Sequence, residues 1–223
     1  AKEKMDASTS TEALGMYQIG NLSHEQLLQM TDSCCPTVGS CQMMATANSM
    51  CCMAEAMGMS LPGSAAIPAV YNDRVRAALR TGETIVGMVR TGLTARDILT
   101  PEAIQNSIMV LMATGGSTNC VIHTCAIAHE LGIPAAQVMA WFETYSASVP
   151  LIARINPASF RYDAEDFYQA GGIPEVQRQL HTLLFNGCMT VTGKTVGENA
   201  AQTHSRYPAN PDVITTLDHP FSA

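Results

Sequence analysis

The sequence predicts a helix-rich α/β domain, and both composition and local patterns support this fold class. Hydrophobic residues make up 47% of the 223 positions, whereas charged residues make up 14% and aromatic residues only 5%. A chain of this length can bury a full core, and small aliphatic side chains allow helices to pack closely. Helix-start signals recur along the chain, and one apolar stretch, Val149–Ile155, has the β-branched content of a strand.

Before residue 92 the sequence predicts a flexible lead followed by helices. The lead covers residues 1–11, and Leu14–Met30 is expected to form two short helices, the second capped by Ser23 with Gln26. A longer helix is predicted over Asn72–Thr91. Its buried side is expected to consist of the apolar residues at helical spacing, which are Val75, Leu79, Ile85, Val86 and Val89.

The second half begins with a strong helix signal, in which Thr100 caps and Pro101 occupies the first helical position. This helix should run to about Ala113. The glycines of the following TGGSTN segment break it, and Ser117 or Thr118 is expected to cap the next helix. The remaining predicted helices are Asn119–Leu131, Ala136–Tyr145, Asp163–Gln169 and Pro174–Leu184.

Charge and hydropathy exclude several classes of partner. The formal net charge is −7 and the chain has no cluster of Lys and Arg, which argues against nucleic acid and anionic membranes. No apolar run approaches the roughly 18 residues of a membrane span, and the N-terminus lacks the apolar core of a signal peptide. We therefore expect a cytoplasmic protein whose partner is a small molecule.

The stretch Cys35–Pro68 organises the chain. Pro36 and Gly39 predict a tight turn, and Ser40 is expected to cap a helix that runs to Met57. Cys41 would then lie at the N-terminus of this helix, where unpaired N–H groups and the helix dipole favour a thiolate. A thiolate in such a position is a soft metal ligand or a nucleophile.

The other cysteines predict neither a disulfide framework nor a zinc ribbon, because no C-x-x-C pair occurs. We expect Cys35 to be structural. The remaining six are expected to be core thiols: Cys34, Cys51, Cys52, Cys120, Cys125 and Cys188.

Three segments of this sequence resemble signatures of the dihydroxy-acid and sugar-acid dehydratases. Cys35–Gly63 is similar to the family's C-P-x-x-G-[ST]-C turn, its T-A-[NS]-[ST]-M helix and its E-A-[LM]-G-[ML]-S-L-P-G exit loop. Gly115–Asn119 with His123 resembles the G-G-S-T-N segment, and Thr190–Asn199 resembles the closing V-T-G-K-T-[LV]-G-E-N. The resemblance extends from about Glu12 to Pro220.

The resemblance implies an iron–sulfur hydro-lyase that converts a 2,3-dihydroxy acid into a 2-keto acid. It makes Cys41 a cluster ligand, with a [2Fe–2S] cluster favoured over a [4Fe–4S] cluster, and it implies Mg²⁺ as a second cofactor. Ser117 and Asn119 are candidate substrate-binding residues, while His123 is expected to be a core histidine. Thr46, Asn48 and Ser49 either hydrogen-bond the cluster sulfurs or serve as small residues for close helix contact.

The resemblance also implies that residues 1–223 form the later part of the family's N-terminal α/β domain. In the family, two further cluster cysteines and acidic Mg²⁺ ligands lie upstream of such a segment. A β-barrel domain with the catalytic serine and another Mg²⁺-binding glutamate follows it. We therefore expect no catalytic residue in this chain, which would be inactive alone, and a homodimer or homotetramer for the longer protein.

The branch of the family is a separate question. Ala65–Pro68 followed by Tyr71 and Arg74 resembles the A-A-I-P-A-x-Y-x-x-R form of the sugar-acid branch, so dehydration of an aldonate to a 2-keto-3-deoxy acid is the first expectation. The alternative is dihydroxy-acid dehydratase of branched-chain amino-acid synthesis. A thiol metal-binding module and an inactive structural or oligomerisation fragment are alternatives of another class.

Overall fold

A computed structural model describes residues 5–35 and 37–222, which contain eleven helices. They are α1 (Ala7–Gln18), α2 (His24–Cys34), α3 (Thr46–Ala56), α4 (Asn72–Thr91), α5 (Ala95–Ile98), α6 (Pro101–Thr114), α7 (Cys120–Glu130), α8 (Ala135–Ser146), α9 (Ala164–Gln169), α10 (Gly172–Gln179) and α11 (Val196–Gln202). The helix-rich character is confirmed. None of these helices is both long and apolar enough to span a bilayer.

Several helix boundaries follow from the capping residues that the sequence shows. The side chain of Ser23 accepts from the backbone of Gln26 in a capping box, as predicted, and Thr100 caps α6 with Pro101 in its first turn. Residues 7–11, predicted as part of a flexible lead, instead form the start of α1. The reason is a second capping box, in which Asp6 and Thr9 bond each other's backbone N–H groups. Residues 1–4 of the lead lie outside the described part.

Helix α6 is the centre of the fold, with ten of its fourteen residues buried. On one side it contributes Ile104 and Ile108 to a core shared with α7 and α8. On the other side Met109 and Val110 pack into a second core with α9, α10 and residues 149–155. Helix α3 packs against α6 and contributes to both cores. The two helices therefore fix where the loops at their ends meet.

The predicted strand Val149–Ile155 forms only isolated antiparallel bridges, at Leu151 with Ser222 and at Ala153 with Ile214. Its backbone is divided between two partners. The N–H groups of Ile152 and Ala153 both donate to the carbonyl of Ala113 at the end of α6, at 2.9 Å. Because α6 takes these donors, no continuous ladder forms with the C-terminal segment. The described residues therefore contain no extended sheet, and the α/β part of the fold prediction is wrong for them.

Helix α4 has the predicted bounds, but its predicted buried side is wrong. Val75, Leu79, Ile85, Val86 and Val89 are all exposed, with Val89 at 77%. The buried residues of α4 are Ala77 and Met88 instead. The spacing correctly indicated an apolar helix face, but within the described part of the chain a different side of α4, with Ala77 and Met88, is buried.

Helix α10 is shorter than predicted and starts earlier, at Gly172. Gly171 adopts a left-handed φ of +116° at its N-terminus, and the helix ends at Gln179 before a series of turns. Asn106 on α6 holds these turns. Its side-chain amide donates to the carbonyl of Phe185 at 3.1 Å, and its side-chain oxygen accepts from the N–H of Phe185 at 2.8 Å.

Substitution of Asn106 tests this connection. Asn106→Ala leaves the Phe185 N–H without its partner beside a fully buried position, and the Phe185 carbonyl keeps only the N–H of Cys188 as a donor. We expect the free energy of unfolding to fall by about 2–3 kcal/mol in denaturant titrations. Gln137→Ala, which removes an exposed amide from α8, is the matched control and should cost under about 0.5 kcal/mol. Equal losses in the two variants would contradict the assigned role.

Candidate functional site

Helix α3 begins later than predicted, and this changes the surroundings of Cys41. The helix starts at Thr46 with Ala45 as its N-cap, and no side chain caps it. Ser40 is therefore not the cap, and Cys41 lies in a non-helical turn five residues before the helix, so its predicted position at the helix N-terminus is wrong. Pro36 lies outside the described residues.

A side chain of α3 replaces the missing helical hydrogen bonds in this turn. The Nδ2 atom of Asn48 donates to the carbonyl of Cys41 at 2.6 Å and to that of Met43 at 2.8 Å. The asparagine thus uses its amide group to pin the backbone on both sides of Gln42. This hydrogen-bonding of the turn backbone differs from both predicted roles of Asn48, which were to hydrogen-bond the cluster sulfurs or to allow close helix contact.

Two further backbone contacts hold the same turn from outside the helix. The N–H of Ala164, the first residue of α9, donates to the carbonyl of Gln42 at 2.8 Å. The N–H of Met44 donates to the carbonyl of Asn156 at 2.7 Å. Three consecutive carbonyls, those of residues 41–43, therefore have fixed partners, and the backbone that carries the Cys41 sulfur is held in place.

The Cys41 side chain is half-buried and lines a cleft of about 510 Å³. One wall is the turn at residues 37–42, and the opposite wall is the loop at residues 65–70. The start of α9, two residues of α3 (Asn48 and Cys51) and Arg74 of α4 complete the lining. The cysteine is therefore in a setting where a partner from outside the turn has access.

The two walls of the cleft touch at Gly39. This glycine has a φ of +104°, and a Cβ atom built on it would lie only 2.6 Å from the Cβ of Ala69. A side chain at position 39 would force the walls apart in addition to straining the backbone. The position of the Cys41 turn therefore depends on the position of the 65–70 loop.

The TGGSTN segment meets the first turn of the same helix. Thr46 accepts from the Nδ2 of Asn119 at 2.9 Å and shares a hydrogen bond with the hydroxyl of Ser117 at 3.1 Å. The Oγ of Ser49 accepts from the backbone N–H of Ser117 at 2.9 Å. The structure therefore brings Ser117 and Asn119 to the end of α3 that holds the Cys41 turn.

Backbone and side-chain groups of the predicted substrate-binding segment form hydrogen bonds within the protein. The N–H groups of Gly116, Ser117 and Asn119 all donate within the protein. Asn119, rather than Ser117 or Thr118, is the N-cap of α7, and its side chain makes no capping bond because it reaches Thr46. A substrate role for Ser117 and Asn119 stays a prediction, while their contacts with α3 are structural.

His123 and two of the cysteines differ from their predicted environments. His123 is exposed, so the interpretation as a core histidine is wrong; it lies in the first turns of α7, beyond the buried Cys120. Cys51 is exposed on the cleft side of α3, and Cys125 is half-buried. The predicted core thiols that are buried are Cys34, Cys52, Cys120 and Cys188.

Glu55 is a functional candidate that the sequence analysis missed. Its carboxylate is buried at the C-terminal end of α3 and accepts from the N–H groups of Gly63 at 2.6 Å and Ala65 at 2.8 Å. Burial raises its pKa to about 7, against the lowering effect of these backbone donors. The signal was available, since an acidic residue at helical spacing among Ala and Met predicts a buried carboxylate with a specific partner.

The comparisons with known proteins can now be set beside this geometry. The sequence model described as the N-terminal region of dihydroxy-acid/6-phosphogluconate dehydratases matches residues 1–199. The chain belongs to this dehydratase family. The three resembling segments were therefore correctly interpreted, and Cys41 lies within the matched region.

Curated relatives share this similarity along nearly the whole chain. The dihydroxy-acid dehydratase of Lachnospira eligens is 41% identical over 222 residues, which is 99% of this chain and 39% of the relative. That of Agathobacter rectalis is 42% identical over 221 residues, covering 98% of this chain and 38% of the relative. The chain thus spans about two fifths of the length of these relatives. Their names favour the dihydroxy-acid alternative, and the sugar-acid expectation is not confirmed.

The donor set decides how well an iron–sulfur cluster fits this chain. Within residues 5–35 and 37–222, no three His, Cys, Asp or Glu side chains converge as a metal-binding group. A half-buried cysteine on a fixed turn at the edge of a cleft fits the role of one thiolate ligand among several. The remaining ligands would come from other parts of a longer polypeptide.

Exchange of Asn48 for aspartate tests how the Cys41 turn is held. Asn48→Asp is nearly isosteric but places an acceptor against the carbonyls of Cys41 and Met43. We expect a loss of about 2–3 kcal/mol in the free energy of unfolding at pH 7, measured in urea. Asn119→Asp is the matched control, because the hydroxyl of Thr46 can rotate to donate to the new carboxylate. A control loss as large as that of Asn48→Asp would contradict the assignment.

The raised pKa of Glu55 predicts a distinct pH dependence of stability. Between 4.5, its ordinary value, and about 7, folded Glu55 keeps a proton that the unfolded chain releases, so stability falls as pH rises. The slope contributed is at most about 1.4 kcal/mol per pH unit.

Urea titrations across pH 4.5–7 on the protein and on Glu55→Gln measure this contribution. The lowered pKa values of Asp6, Asp73, Asp97 and Glu198 act below this window. We expect the variant to lose much of the downward slope. Parallel profiles for the two proteins would show that Glu55 does not titrate in this range.

Proposed function

We propose that the longer protein containing this chain is an iron–sulfur hydro-lyase that dehydrates a 2,3-dihydroxy acid to a 2-keto acid. The observation that carries the proposal is the placement of Cys41, on a turn with three fixed carbonyls and at the edge of a cleft. Membership of the dehydratase family and the names of its relatives support the same reaction class.

In this proposal the chain contributes one cluster ligand, Cys41, and the scaffold that positions it. When bound, the cluster supplies a Lewis-acidic iron for the hydroxyl group that leaves from C3 of the substrate. Asn48 orients the backbone of the ligand, and Thr46 and Ser49 join the Ser117–Asn119 segment to the same helix turn. The C2 proton leaves to a base outside this chain, and the resulting enol becomes the 2-keto acid.

The other cofactor and assembly expectations stay proposals. Mg²⁺ would be held by residues elsewhere in the longer protein. A [2Fe–2S] cluster and a homodimer or homotetramer are likewise proposed from the family resemblance.

We place the substrate in the dihydroxy-acid class rather than the sugar-acid class. The names of the relatives reported above support this choice. Arg74, part of the A-A-I-P-A-x-Y-x-x-R pattern, donates to the carbonyls of Ser64 and Ile67. At least one residue of this pattern therefore has a structural role in holding the loop.

Substrate preference tests this placement. The intact protein, reconstituted with iron, sulfide and Mg²⁺, should dehydrate 2,3-dihydroxyisovalerate with a kcat/KM at least tenfold above that for an aldonate. The measurement is formation of the 2-keto acid. Turnover of the aldonate alone would return the assignment to the sugar-acid branch.

Substitution of the cleft cysteines tests the ligand. In the intact protein, Cys41→Ser should lose most of the iron and sulfide and the visible absorbance of the cluster, because serine is a poor ligand for iron in such clusters. Cys51→Ser is the matched control, as it changes the other thiol in the same cleft and should keep the cluster. Retention of the cluster in Cys41→Ser, or its loss in Cys51→Ser alone, would overturn the assignment.

A further inference from the structure

An acidic side chain, Glu55, and a basic side chain, Arg74, both form hydrogen bonds with the backbone of the loop at residues 61–70. Glu55 receives the N–H groups of Gly63 and Ala65 on the inner side, where it is buried. The guanidinium of Arg74, which lines the Cys41 cleft, donates to the carbonyl of Ser64 at 3.1 Å and also to that of Ile67. Donors of the loop thus meet carboxyl oxygens, and acceptors of the same loop meet the N–H groups of a guanidinium.

We propose that Glu55 and Arg74 are positioning residues for Cys41, acting through the 61–70 loop. The inference rests on the proposed function, in which Cys41 is a cluster ligand. Neither residue touches Cys41 in the described contacts. Each fixes a different edge of the loop that forms the wall opposite the Cys41 turn.

Because the loop and the Cys41 turn are in contact, the position of the turn depends on the position of the loop. A Cβ atom on Gly39 would lie only 2.6 Å from the Cβ of Ala69, so the turn packs directly against the loop. Cys41 follows Gly39 by two residues, and both line the cleft with Ala69. A loop that moves outward would remove the support on this side of the turn.

Glu55 has backbone N–H groups, and no cation, as its described partners. Glu55 is buried next to the Cys52 thiol, whose pKa is raised by burial and by the Glu55 carboxylate. The cation nearest to the loop in the described contacts, Arg74, bonds to its carbonyls rather than to Glu55. Backbone N–H groups are therefore the partners that stabilise the Glu55 charge, which ties that charge to the conformation of the loop.

The thiol reactivity of Cys41 in the intact, cluster-free protein tests the inference. The rate of its alkylation by iodoacetamide is measured by peptide mass spectrometry and divided by the rate of Cys125, which is also half-buried but lies on α7 outside the cleft. We expect this ratio to rise at least threefold in Glu55→Gln and in Arg74→Met. Arg74→Lys, which keeps a cation and part of the donor set, should restore the ratio partway.

Glu83→Gln and Arg90→Met are the matched controls, since both positions are exposed on α4 and make no described contact with the loop. They should leave the ratio unchanged. An unchanged ratio in Arg74→Met overturns the inference, and this variant decides if Glu55→Gln does not fold. A parallel rise of the Cys41 and Cys125 rates would indicate general loosening and would also overturn it.

The result is independent of the ligand assignment. Alkylation in the cluster-free protein reports the position of Cys41 whether or not it binds iron. If Cys41→Ser keeps its cluster while the ratio of Cys41 to Cys125 alkylation still rises in Glu55→Gln and Arg74→Met, the proposed function fails and the positioning role stands.

Discussion

The structure of the site depends on the amide of Asn48. A cysteine placed five residues before a helix has no helical hydrogen bonds to define its backbone, and turns of this kind are commonly mobile. Asn48 supplies two donors to the carbonyls on either side of Gln42, and α9 fixes the carbonyl between them. Without these bonds, the sulfur of Cys41 would have no defined direction relative to the cleft.

The first turn of α3 connects two segments that are distant in sequence. Asn48 faces the Cys41 turn, while Thr46 and Ser49 face the segment that contains Ser117 and Asn119. Such close contact requires small residues, and Gly116 shows this, because a Cβ there would lie 3.0 Å from the Oγ of Ser49 on α3. The Ala, Ser, Thr and Asn content of the helix start therefore serves both hydrogen bonding and close approach.

Much of the fold could be predicted because its signals are local. Capping residues such as Ser23 and Thr100 fix helix starts through contacts within three or four residues, which the sequence displays directly. The bounds of α4 were also predicted, although no side chain caps its N-terminus. The buried side of α4 was not predictable, because burial depends on which other elements pack against the helix. The strand predicted at 149–155 did not form because two of its N–H groups bond to the carbonyl of Ala113 on α6, which is distant in sequence.

The candidate residues of the site came from the sequence, whereas its geometry did not. The family signature identified Cys41, Ser117 and Asn119 as the candidates. It could not show that α3 begins at Thr46, because a turn stabilised by a side chain looks like a helix start in sequence. The roles of Glu55 and Arg74 also depend on the three-dimensional path of the 61–70 loop.

Anomalous diffraction at the iron edge, from crystals of the intact reconstituted protein, tests the central claim most directly. The account predicts an iron peak in the cleft between the Cys41 turn and the 65–70 loop, within bonding distance of the Cys41 sulfur. An iron site bound entirely by other residues, with the Cys41 sulfur unligated, would contradict it.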